Sequence, residues 1–98
     1  MSVIGTGWLN HRKERRMAYI VKTSSAKMPT SVKAQYRNVA ILEIEDGLDD
    51  VSMISERAKG VRRIVTHYGA HHVGKTDRCA YCVTLAKATA AAAALNAA

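Results

Sequence analysis

The chain contains no phenylalanine, one tryptophan (Trp8), one proline (Pro29) and two cysteines among its 98 residues. The shortage of large aromatics limits the core. Four tyrosines remain, and the stretch from Ala86 to Ala98 is mostly alanine, which favours helix but buries little area. A chain of this size makes one domain with little apolar surface to spare, so a homodimer or another protein partner is the expected route to further burial. The run Ala90–Leu95 falls far short of the ~20 apolar residues of a membrane span. The basic cluster Arg12–Arg16 follows the only hydrophobic stretch of the N-terminus, the reverse of a secretory signal. Cys79 and Cys82 lie three apart, a spacing that suits a metal site or two reduced thiols better than a structural disulfide. These features together imply a cytoplasmic protein.

Charge is unevenly placed. Residues 1–40 carry eight Lys or Arg against Glu14 alone, and residues 41–60 carry six acids against Arg57 and Lys59. Residues 61–98 carry five bases against Asp77, and the whole chain carries +7. A basic arm, an acidic middle and a basic C-terminal third suit contact with polyanions, or simply solubility.

Residues 1–16 read as a flexible basic tail containing HRKERR at positions 11–16. The codons available to Lys13 and Glu14 resemble a ribosome-binding site ahead of Met17, which makes Met17 a candidate native start. Residues 17–98 form the expected compact domain. Met17–Thr23 reads as a strand, with Met17, Tyr19 and Val21 on one face. Ser24–Tyr36 is a polar connection in which Pro29 suits the start of a short helical turn. Asn38–Glu45 is the strongest strand, with Ala40, Leu42 and Ile44 facing the core, and Asp46-Gly47 ends it in a turn.

From Asp50 to Tyr68, Val51, Ile54, Ala58, Val61, Val65 and Tyr68 fall at alternating spacings of three and four, which predicts an amphipathic helix. Gly69 would stop it. A second helix is expected from about Asp77 to Leu95, with Thr76 or Asp77 as N-cap and Cys82, Leu85, Thr89, Ala92 and Leu95 on one face. The expected fold class is therefore α+β: a small β-β-α-α single domain, a short antiparallel sheet with two helices packed on one face.

Three clusters carry candidate chemistry. Gly69–Thr76 (GAHHVGKT) fits the G-x-x-x-x-G-K-[ST] pattern of phosphate-binding loops. That mechanism needs a buried strand before the first glycine and a later strand delivering an acid to magnesium, and the sequence offers neither, so an interhelical turn is the expectation. Arg62, Arg63, Lys75, Thr76 and Arg78 then form a candidate nucleic-acid or anion site around that turn. His67, His71, Cys79 and Cys82, with His72 as an alternative ligand, make a plausible tetrahedral zinc set that would tie the two helices together. A dithiol redox role for the cysteines lacks the thioredoxin-like strand–helix–strand context. The long connection between the helices and the alanines after Tyr81 argue against a base-reading helix-turn-helix.

No catalytic constellation is legible, so the expected function is binding rather than catalysis. In size, basicity and lack of an enzymatic site the chain resembles compact phage or plasmid accessory proteins. That resemblance implies an inhibitor or adaptor of a host protein or nucleoprotein complex, for example in anti-defence. The alternatives are a nucleic-acid-binding regulator using the basic patch, and a zinc-stabilised binding module.

Overall fold

The computed structural model describes residues 18–26 and 35–98. The basic segment 1–16, the proposed start at Met17 and the Pro29 turn lie outside the described residues. Three strands and one helix follow one another: β1 (Ala18–Ala26), β2 (Gln35–Ile44), β3 (Val61–Val73) and α1 (Ala80–Ala97). The strands form one antiparallel sheet in the order β1-β2-β3. The β-β-α-α arrangement expected from the sequence is thus overturned. Among the described residues the order is β-β-β-α, and the segment read as the first helix supplies a loop and the third strand.

β2 is the central strand, and its sequence fits burial on both faces. Val39 and Ile41 pack with Ala88 and Ala92 of α1, joined by Tyr19, Val21, Val65, Tyr68, Tyr81, Leu85 and Leu95. Ala40, Leu42 and Ile44 pack on the opposite face with Val51, joined by Ala18, Ile20, Ile54, Val61 and Ile64. Val39 and Ile41 are as fully buried as Ala40, Leu42 and Ile44. A near-continuous apolar run is what a strand covered on both sides requires.

The segment 45–60 covers that second face. Its base is closed by Glu45 N–H donating to Gly60 C=O at 2.9 Å. Lys22 of β1 reaches across to Asp50 at 3.1 Å. Val51 and Ile54, two members of the supposed helical stripe, pack down onto the sheet from this loop. Asp46-Gly47 does form the expected turn, with Gly47 at φ +91°.

The third strand escapes sequence reading because its register is irregular. Along β3, Arg62, Val65 and Tyr68 each stand opposite no single partner on β2, at register shifts between Glu43/Ile44, Ile41/Leu42 and Val39/Ala40. Each shift is a β-bulge, which adds one residue to one strand and breaks the period of two. Val61 and Ile64 therefore share one face of the sheet and Val65 and Tyr68 the other, although each pair is three residues apart. Bulges three residues apart give Val65 and Tyr68 the spacing of a helical stripe, and Val61, which falls in step with them in the sequence, faces the other side. Gly60 at φ +88° and the β-branched run Val61, Ile64, Val65, Thr66 favour the strand.

The helix begins later than expected. Its N-cap is Cys79, not Thr76 or Asp77. Its packed face is Tyr81, Leu85, Ala88, Ala92 and Leu95, with Leu85, Ala92 and Leu95 as expected. Thr89 is instead exposed, its hydroxyl donating to Leu85 C=O at 2.8 Å. Alanines at 88 and 92 let the helix approach the sheet closely, so burial comes from proximity rather than side-chain bulk.

Candidate functional site

The proposed cationic patch separates in three dimensions. Arg62 and Arg63 lie at the start of β3, whereas Lys75, Thr76 and Arg78 follow its end. The ten steps from Arg63 to Val73, at ~3.3 Å each in a strand, place the two groups roughly 30 Å apart. An interhelical turn would have brought them together. Arg63 is also committed, its Nε donating to Glu43 at 2.5 Å. That hydrogen bond, and then the Glu43 charge, raise the Arg63 pKa above its usual value.

The supposed phosphate loop is mostly strand. Gly69–Val73 belongs to β3, and Gly69 sits beside the Tyr68 bulge at φ +89°, where it is neither a helix stop nor part of a turn. Thr76 is not the N-cap. Its hydroxyl accepts from Arg78 N–H at 3.3 Å and its carbonyl from Cys79 N–H at 3.2 Å. The place an anion would take at the helix N-terminus is filled by the protein's own sulfur, since Cys79 Sγ accepts from Cys82 N–H at 3.4 Å.

The four candidate metal ligands do not form one cluster. His67 registers with Ala40 and His71 with Arg37, on opposite faces of the sheet. The helix spacing that would have aligned them does not exist in this segment. His71 Nε2 lies 3.0 Å from Tyr68 C=O, and His72 stacks edge-on against Tyr36 with ring centroids 5.4 Å apart. Among the described residues no three His, Cys, Asp or Glu side chains converge on a point. The two cysteines do come together, both free and half-buried at the start of α1.

Two features were not anticipated. Arg37 lies on the helix face, donating to Thr23 Oγ1 at 3.0 Å with its guanidinium 5.9 Å from the Tyr81 ring centroid. Asn96, in the last turn of α1, bonds both backbone groups of Tyr19: Tyr19 N–H donates to Oδ1, and Nδ2 donates to Tyr19 C=O, each at 2.9 Å. An amide alone in the run Ala90–Ala98 was the available signal for it.

The Asn96 bonds define the edge. Since Tyr19 turns its N–H and C=O away from β2, the regular register of β1 turns those of Val21, Thr23 and Ser25 the same way. β1 pairs with β2 without a bulge, and its far side carries no strand among the described residues. β3, the opposite edge, is broken by three bulges. The two edges therefore differ: one is ragged, and the other offers a straight row of backbone donors and acceptors.

An open depression of about 440 Å³ is lined by residues of the 45–60 segment, among them Glu45, Asp50, Val51, Ser52, Lys59 and Gly60. Among the described residues no helix is long and apolar enough to cross a membrane. Comparison with protein-family models, curated proteins and solved structures finds no match for this chain.

Proposed function

We propose that this is a small non-enzymatic binding protein, an inhibitor or adaptor that engages an extended segment of a protein partner along β1. The observation that carries the reading is the contrast between the unbulged β1 edge and the thrice-bulged β3 edge. An exposed regular edge is a template for strand addition, in which backbone hydrogen bonds supply affinity and alternate side chains supply selectivity. Bulges protect β3 from the same event. Asn96 blocks only the Tyr19 end of β1, leaving the outward groups of Val21, Thr23 and Ser25 as the docking row. A reducing compartment such as the cytoplasm suits the free cysteines.

The roughly 30 Å separation of the two pairs of basic residues leaves no concentrated cationic patch of the kind the interhelical turn would have made. The experiment uses Thr23→Pro, which removes one outward N–H while sparing the ladder to β2. Immobilised wild type and variant are exposed to the same cell extract at moderate salt. A protein held by wild type and lost from the variant supports strand addition. Equal retention by both overturns it, as does bound nucleic acid that is lost at high salt and with Arg62→Glu or Arg78→Glu.

A further inference from the structure

The two cysteines are outside that reading. Cys79 caps α1 and Cys82 follows one turn later, so the two sulfurs lie on the same side of the helix start. Both are free, and both are partly exposed. The chain before them is tightly wrapped: a Cβ added to Gly74 would sit 2.9 Å from the Cβ of Cys79. Only glycine lets that backbone come so close. Lys75 and Arg78 precede the pair in the chain and are exposed.

We propose that Cys79 and Cys82 form a reversible thiol–disulfide exchange pair, with Cys79 attacking an accessible disulfide and Cys82 resolving the mixed disulfide. The roles follow from the surroundings. The backbone N–H of Gly74, and then that of Cys82, hold the Cys79 thiol below its usual pKa. Cys82 is pushed the other way, by its hydrogen bond to Cys79 and by burial. The attacking thiol is thus the one with more thiolate at neutral pH.

The chemistry balances with a low-molecular-weight disulfide as oxidant. The Cys79 thiolate attacks one sulfur of glutathione disulfide. The S–S bond breaks, a Cys79–glutathione disulfide forms, and glutathione thiolate leaves to take a proton from water. Cys82 then loses its proton to water, and its thiolate attacks the Cys79 sulfur. The Cys79–Cys82 disulfide forms as the second glutathione leaves. Two protein thiols are oxidised and one glutathione disulfide is reduced to two glutathiones. Reduced glutathione in excess reverses both steps.

The test is intact mass spectrometry of the full chain after timed exposure to glutathione disulfide and an alkylating quench. Wild type is expected to lose two hydrogens and retain no glutathione. Cys82→Ser is expected to accumulate one glutathione on Cys79. Cys79→Ser is expected to form no internal disulfide, carrying glutathione on Cys82 at most. Serine is itself a favoured N-cap, so Cys79→Ser should keep the helix, which circular dichroism checks. The proposal is overturned if wild type carries glutathione without closing an internal disulfide, or if Cys82→Ser takes up no glutathione. It is also overturned if the purified protein carries zinc on the pair that blocks exchange.

Discussion

The side-chain amide of Asn96 pairs with the backbone of Tyr19 as a neighbouring strand residue would, donating to its C=O and accepting from its N–H, both at 2.9 Å. One side chain thereby pins the end of α1 to the sheet edge and closes the first edge position to any other strand. In a helix whose packed face relies on alanines, this polar clasp fixes the helix along the strands.

Asn96→Ala removes both bonds. The pair is exposed, so its net worth is about 1 kcal/mol. The expected result is a loss of that order in denaturant unfolding, with faster amide exchange at Tyr19 while the central residues of β2 keep their protection. Unchanged exchange at Tyr19 would contradict the clasp.

Glu43 is 9% exposed and sits on the helix face between Tyr19 and Arg63 in the register. Its partner Arg63 keeps a side chain 54% exposed. Removing the arginine alone leaves a buried carboxylate uncompensated, whereas replacing both removes the problem. Arg63→Ala should lower the thermal midpoint, and the double variant Arg63→Ala/Glu43→Gln should recover most of the loss. A double variant no more stable than the single one would remove this role for the pair.

Gly69 and Gly60 both have φ near +90°, but their surroundings differ. A Cβ at Gly69 meets nothing within 4 Å, whereas one at Gly60 collides with Leu48 Cδ1. Gly69→Ala should cost about 1–2 kcal/mol from backbone strain alone. Gly60→Ala should cost more, and Leu48→Ala in the same chain should remove the excess. Unfolding midpoints of the three variants decide this.

Asp50 accepts from Val51 N–H at 2.8 Å and pairs with Lys22. The Val51 hydrogen bond, and then Lys22, hold its pKa below the ordinary 3.8. A carboxylate whose folded value is depressed adds stability above its unfolded value and loses it as pH falls through the folded value. Wild type should therefore lose more stability than Asp50→Asn as pH falls below about 4. Parallel acid dependences in the two proteins would contradict the assignment.

Much of the fold could be read directly, and particular residues show why the rest could not. Residues 39–44 are apolar save for Glu43, and such a run makes a strand wherever it is buried. Alanine density at the C-terminus makes a helix for intrinsic reasons, although its cap was misplaced because Thr76 and Asp77 are better capping residues than Cys79. The first helix was misread because Val61, Val65 and Tyr68 keep helical spacing in a strand with a bulge at every third residue. The candidate sites inherited that error. Arg62, Arg63, Lys75 and Arg78 converge only around an interhelical turn, and His67 and His71 align only on a helix.

What the amino-acid sequence determined by itself was local: β1, β2, the Asp46-Gly47 turn and a C-terminal helix, each set by propensity and short-range pattern. Tertiary structure decided whether residues 61–73 would coil or extend. The open edge of β2 and the apolar residues on both its faces needed a third strand, and pairing with β2 outweighed the helical spacing. The same step separated the basic residues, parted the histidines, and left Cys79 and Cys82 together at the start of α1.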